Sequence, residues 1–161
     1  MHDEFQLDVV ALAGVWALRD EILRAGLPPG DSVYAGDQSA DTLHVGAFRH
    51  GHLVAVSSIC RDLSGERNTQ GWRLSGMAVK PECRNCGVGT TLARYCIAYA
   101  KRSDAELVWC TARISALTFY QNLGFSMIGE AASRADMGEE RFVRMELDFS
   151  GGQLMHEEDR W

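Results

Sequence analysis

A mixed α+β fold, with a mostly antiparallel central sheet flanked by helices, is what this chain predicts, and three stretches predict it. Residues 42–60 hold two extended runs separated by a short glycine-containing turn, the pattern of a hairpin. Residues 72–111 read strand, turn, helix, strand, the order of a parallel βαβ unit. Residues 125–149 add two runs, the second with clear two-residue alternation. The 161 residues, 46% hydrophobic and 24% charged, are enough to bury one core. Residues 1–149 are therefore expected to form a single domain, with 150–161 a polar tail ending in HEEDRW.

Taken in order, Leu7 to Ala25 places Val10, Leu12, Val15, Trp16, Leu18, Ile22 and Leu23 at helical spacing, with Arg19, Asp20, Glu21 and Arg24 between them. An amphipathic helix starting near Leu7 or Asp8 is expected, stopped by Gly26 and Pro28-Pro29. Leu27 to Gln38 is a loop rich in Gly, Asp and Ser. Thr42 to Phe48 and Leu53 to Cys60 form the hairpin around Arg49-His50-Gly51-His52. His44 sits inside the first run with no partner fixed by spacing, so it reads as a hydrogen-bonded structural residue.

The polar stretch Asp62 to Gly71 returns the chain antiparallel into Trp72 to Val79, a run with no charge after Arg73 that suits a strand covered on both faces. Pro81 cannot donate to a ladder and turns its predecessor away from helix, so Pro81 to Cys86 is a loop. Leu92, Ala93, Cys96, Ile97 and Ala100 then give the run Thr90 to Lys101 helical spacing. Glu106 to Thr111 is a short parallel strand, and Arg113 to Leu123 a further helix closed by Gly124. Phe125 to Ala131 and Arg141 to Phe149 complete the sheet.

The junction after Val79 carries the chemistry. A helix opening on Gly87 and Gly89 leaves its first N–H groups without internal partners, and its dipole puts about half a positive charge there. Phosphate fits such a place, with missing Cβ atoms letting it approach and Lys80 and Arg84 adding charge at the rim. A dinucleotide turn would put its first glycine directly after the strand and a third at position 92, where this chain has Leu92. A P-loop would need Lys-Ser or Lys-Thr after the last glycine, where this chain has Thr90-Thr91.

Composition narrows the partners. A net charge of −6 argues against a general nucleic-acid binder, while one phosphate-rich ligand needs only a local positive pocket. No apolar run has the length of a membrane span, and MHDEFQLD lacks the architecture of a signal peptide, so a cytoplasmic location away from membranes is expected. Five cysteines make no disulfide framework. The C-x-x-C at Cys83 and Cys86 has no second pair at zinc spacing and reads as incidental, so no metal is expected.

Val79, Pro81, Arg84, Gly87, Gly89, Thr90 and Leu92 spell V-x-P-x-x-R-x-x-G-x-G-T-x-L, which resembles the acyl-CoA-binding motif of the GNAT superfamily of N-acetyltransferases. Ala116, Phe119, Tyr120, Gly124 and Phe125 resemble that family's later signature, A-x-x-F-Y-x-x-x-G-F, in the expected order. The resemblance implies a parallel strand pair that splays apart to receive acetyl-CoA. Backbone groups at Met77, Ala78 and Val79 would then meet the pantetheine and the acetyl carbonyl, and the amides of Arg84, Asn85, Cys86, Gly87, Val88, Gly89 and Thr90 the pyrophosphate. Bulk at Gly87 or Gly89 is expected to block binding.

The resemblance also implies a role for Tyr120, as the general acid that returns a proton to the departing CoA thiolate; a phenol with pKa about 10 can do so. Thr111 and Arg113 stand where many relatives carry asparagine; Thr111 can still bond the coenzyme and Arg113 reach a phosphate. The general base is open among Glu82, Asp62, Glu66, Glu130 and Glu146, and an amine that loses its proton through desolvation needs none. The implied partner is a small-molecule or peptide amine, whose site in that family is often walled by the first helix and the loop after it, here Leu27 to Gln38, and the last strands offer a route to a homodimer. A catalytically silent acyl-CoA sensor and a nucleotide binder unrelated to acyl transfer are the rival readings.

Overall fold

The computed structural model describes residues 4–25, 32–62, 71–134 and 138–149. Its elements are β1 (Gln6–Val9), α1 (Leu12–Leu23), β2 (Leu43–Arg49), β3 (His52–Asp62), β4 (Gly71–Val79), α2 (Val88–Arg102), β5 (Leu107–Arg113), α3 (Leu117–Asn122), β6 (Ser126–Ser133) and β7 (Arg141–Asp148). The seven strands lie in one sheet in the order β1-β2-β3-β4-β5-β7-β6, antiparallel throughout except for β4 and β5. The α+β architecture read from the sequence is the one observed.

One expectation is corrected at the start of the chain. Residues Gln6–Val9 are not the first turn of a helix but an edge strand on β2, and α1 begins only at Leu12. Leu7 and Val9 alternate with Gln6 and Asp8, which suits a strand as well as a helical start, and the free edge of β2 decides between them. A second correction concerns residues 113–123. Arg113 is the last residue of β5, a 3-10 turn spans Ile114–Ala116, and α3 itself is only Leu117–Asn122. The tail 150–161, most of the return loop after Asp62, and part of the loop after α1 lie outside the described residues.

Helices cover both faces of the sheet. Val88, Leu92, Ala93, Cys96, Ile97 and Ala100 turn one side of α2 onto β2, β3 and β4, and that core takes in Trp72 and Leu74 of β4 and Tyr120 of α3. Trp72 is fully buried and meets Tyr99 edge to face at 5.7 Å. On the opposite face Val15 and Leu18 of α1 pack with Val10, Val56 and Ala78 in a smaller cluster.

Arg19 of α1, one of the charged residues between the helix's apolar positions, is wholly buried. Its guanidinium forms a fork with the Asp37 carboxylate, 2.7 Å from Nη1 to Oδ2 and 3.1 Å from Nη2 to Oδ1, and also donates to the Ser32 carbonyl and the Ser58 hydroxyl. Asp37 further accepts from Trp16 Nε1 and the Tyr34 N–H. His44 joins the network structurally, one ring nitrogen 2.6 Å from Ser58 Oγ and the other 2.8 Å from the Asp37 carbonyl oxygen. A loop that carries polar groups is thereby fastened to the sheet with its buried charges paired.

Candidate active site

β4 and β5 are joined over three residue pairs only, Gly71 with Leu107, Trp72 with Val108 and Arg73 with Trp109. Past Arg73, β4 stays paired to β3 as far as Val79 and β5 stays paired to β7 as far as Arg113, but the two no longer pair with each other. Gly76 marks the divergence: it has φ +66° beside a register shift in the β3–β4 ladder, a bulge of the kind that bends a strand. A side chain there would also strike Arg19, since a Cβ would lie 2.5 Å from its Nε. The facing edges of two parallel strands are thus left open, and a cavity of about 710 Å³ occupies the gap.

At one end of this cavity lies the start of α2. Asn85 and Gly87 have φ of +61° and +85°, so the chain enters the helix through left-handed turns that concentrate N–H groups on one side. The first intrahelical bond runs from the Thr91 N–H to the Gly87 carbonyl, which leaves the amides of Val88, Gly89 and Thr90 ahead of the helical ladder, and no side chain caps them. Gly87 is demanded by its backbone angle, because a Cβ there would meet nothing within 4 Å. At Gly89 a Cβ would touch Phe119 at 3.5 Å, an ordinary contact. Arg84 folds back so that its Nε donates to the Val79 carbonyl at 3.2 Å.

Among the residues singled out in the sequence, Met77, Val79, Arg84, Asn85, Gly87, Val88, Gly89 and Thr90 line the cavity, as do Thr111, Arg113 and Tyr120. Two do not. Ala78 turns its side chain under α1 beside Val56, and Cys86 is exposed outside the cavity, its thiol donating to the Cys83 carbonyl. Cys83 itself is buried in the core, and among the described residues no group of three His, Cys, Asp or Glu could hold a metal ion.

Tyr120 is held by geometry on three sides. Its ring stands edge to face with Phe119 at 5.0 Å and with Phe125 at 5.6 Å. Behind it the helix closes in a Schellman motif, the Phe125 N–H bonding the Tyr120 carbonyl and the Gly124 N–H that of Gln121, with Gly124 at φ +98°. Burial pushes the phenol pKa well above its ordinary value and the neighbouring Cys110 adds to this, while Arg113 pulls it partly back. At neutral pH the phenol keeps its proton.

For the cavity's other end the family resemblance offers the first helix and the loop Leu27 to Gln38, whose Tyr34 does line it, but not the arginines. Tyr34, Arg24, Arg73 and Arg134 line it too, brought in by α1, the loop after it, β4 and the end of β6. For the arginines, the lone charge of Arg73 in an apolar run is the one sequence signal. The carboxylates considered as a base lie elsewhere: Asp62 accepts from Trp109 Nε1, Glu146 is buried against Arg144, and Glu82 and Glu130 are exposed. Glu66 is outside the described residues, and among the described residues no Asp or Glu lines the cavity.

Solved structures share this architecture. An N-acyl amino acid synthase, FeeM, from uncultured soil microbes superposes with a TM-score of 0.77 at 13% identity, covering 92% of this chain and 92% of its own. An acyl-CoA N-acyltransferase from Pseudomonas aeruginosa gives 0.72 at 20% identity, over 89% and 97% of the two chains. The ribosomal-protein-S18-alanine N-acetyltransferase from Escherichia coli gives 0.72 at 17% identity, over 95% and 99%. Such low identities establish a common fold. The sequence model of the acetyltransferase (GNAT) family matches residues 12–125, more than half of the chain and all of the cavity's strand, cradle and tyrosine. The chain therefore belongs to the acetyltransferase (GNAT) family.

Proposed function

We propose that this protein is an acetyl-CoA-dependent N-acetyltransferase, cytoplasmic, acting on a primary amine by direct attack on the thioester. One observation carries the reading: an uncapped helix start, a parted strand pair and a protonated tyrosine all open onto a single cavity. Membership of the family supports acyl transfer in general. Relatives of the same fold include an N-acyl amino acid synthase and a ribosomal-protein-alanine N-acetyltransferase, so the acyl chain and the acceptor follow from each site rather than from the fold. Among the described residues no helix is long and apolar enough to cross a membrane.

The residues present fit the coenzyme. The amides of Val88, Gly89 and Thr90 would bond its pyrophosphate, with Asn85 and the left-handed turn at Gly87 shaping the cradle and Arg84 at its rim. The open edge of β4 around Met77 and Val79 would hold the pantetheine arm by backbone hydrogen bonds. When bound, acetyl-CoA supplies an activated acyl group and a thiol leaving group. Tyr120, kept neutral by burial, would donate its proton to the departing sulfur. Arg113 is close enough to Tyr120 to lower its pKa, and it would also favour the neutral form of an incoming amine. With no carboxylate lining the cavity among the described residues, the amine would lose its proton to water.

Tyr120→Phe is the test. It is expected to lower kcat by about a hundredfold, the lower range for loss of a general acid, while leaving acetyl-CoA affinity within about twofold. Thiol release measured across a panel of amines reads the first, calorimetry the second. Unchanged turnover removes the tyrosine from the mechanism. Coenzyme binding without thiol release from any amine would instead favour a silent acyl-CoA sensor.

A further inference from the structure

The alternation of β4 and β5 gives the strands beside the cavity two faces of different chemistry. Trp72 and Leu74, with Val108, Cys110 and Ala112, face the core beneath α2. Arg73 of β4 and Trp109, Thr111 and Arg113 of β5 occupy the intervening positions and therefore face the other side, where α1 lies. The cradle for phosphate belongs to the α2 end, whereas this second side has its own positive charge, far more than an amine alone would call for.

Two of these arginines are specific. Arg73 sits in the last pair before the strands part, its guanidinium 5.2 Å from the Trp109 ring and 5.9 Å from that of Tyr34. Its Nε is buried and has no hydrogen-bond partner among the described residues. Arg113 gives one nitrogen to the Leu23 carbonyl at the end of α1, 2.7 Å away, which anchors the side chain and leaves the rest of its fork to the cavity. Arg24 and Arg134 line the same space, Arg134 lying 5.2 Å over the Phe142 ring. A guanidinium held against an aromatic wall at the cavity's edge presents planar donors that suit a planar anion.

Resting on the transferase reading above, we propose that the acceptor carries its own carboxylate, an amino acid in the simplest case, and that Arg73 and Arg113 hold it. The carboxylate would lie on the α1 side, with the amine pointing through the gap between β4 and β5 toward Tyr120. Arg113 is thereby a specificity residue for the acceptor rather than a phosphate contact. Cationic polyamines are disfavoured by the same charges.

The experiment pairs each of several amino acids with its carboxamide, measuring thiol release from acetyl-CoA together with equilibrium binding to the CoA-loaded protein. The free acids are expected to exceed their amides by at least about tenfold in kcat/KM and in affinity, the scale of one charge-assisted hydrogen bond. Arg73→Gln and Arg113→Gln should each drive that ratio toward one, and Arg73→Lys should keep part of it. A misfolded variant would lose both substrates equally, so the ratio reads recognition and not folding. Amides or polyamines used as well as the acids would overturn this inference and leave the transferase standing. Loss of CoA binding and of thiol release with every amine would overturn both.

Discussion

The buried Arg19–Asp37 pair offers the most quantitative test of how the site is held in place. Asp37 is 6% exposed and accepts four hydrogen bonds, two from Arg19 and one each from Trp16 Nε1 and the Tyr34 N–H. Asp37→Asn keeps the shape but removes the charge, leaving a wholly buried guanidinium uncompensated. Breaking one partner of a buried pair costs about 3–5 kcal/mol. At about 2–4 °C per kcal/mol for a domain of this size, the midpoint should fall by about 6–20 °C in thermal melts followed by circular dichroism at pH 7. Arg19→Met added to Asp37→Asn should recover part of that loss, because no unpaired charge is then left inside.

The pH dependence has a definite sign. Burial pulls the Asp37 carboxyl up, but the hydrogen bonds from Arg19, Tyr34 and Trp16 and the guanidinium charge outweigh it, holding the pKa below the ordinary 3.8. The folded state therefore binds this proton less readily than the unfolded chain. The stability it contributes is complete above the unfolded value and is lost as pH falls through the lower, folded one. Asp37→Asn should thus show a shallower loss of stability on acidification. Since the same carboxylate fixes the Tyr34 N–H, and Tyr34 lines the cavity, the variant should also raise the KM for the acceptor more than that for acetyl-CoA. A melting point within 2 °C of the parent, a shift of under about 1 kcal/mol, would refute the pairing argument.

Three further outcomes are expected. Because burial raises the Tyr120 pKa, the pH–rate profile should climb with deprotonation of the amine and show no descending limb below about pH 10; a fall that Tyr120→Phe abolishes would contradict this. Gly87→Ala should cost about 1–2 kcal/mol from its φ of +85° with no steric clash, while Gly89→Ala should melt at or above the parent, both read by thermal denaturation. Cys96 and Cys110, their thiols pushed up to about 12 by burial, should resist alkylation in the native protein, whereas exposed Cys86 should react first in a timed mass-spectrometric labelling.

What was legible in the chain alone is what neighbouring residues encode. The hairpin at Gly51, the buried strand into Val79, the turn through Gly87 and the apolar stripe of α2 each depend on periodicity or backbone preference within a dozen residues, and each stands in the structure. Where two local readings were equally good, at Gln6–Val9, only the free edge of β2 chose between them. Burial of Arg19 likewise depends on Asp37 and Ser58, and the role of His44 on Ser58 and the Asp37 backbone, none of them local neighbours.

The helix start and Tyr120 could be picked out from sequence because each lies on a short run carrying a motif, and both line the cavity. The acceptor side could be named only as the loop Leu27 to Gln38, without the residues that meet there. Arg73, Arg113 and Tyr34 come from three elements, and they share a wall only because β4 and β5 part after three residue pairs and α1 closes over the gap. Local chain stiffness writes turns, strands and helix starts into sequence order, but a pocket lined from several elements is decided by how the sheet twists and what packs on it.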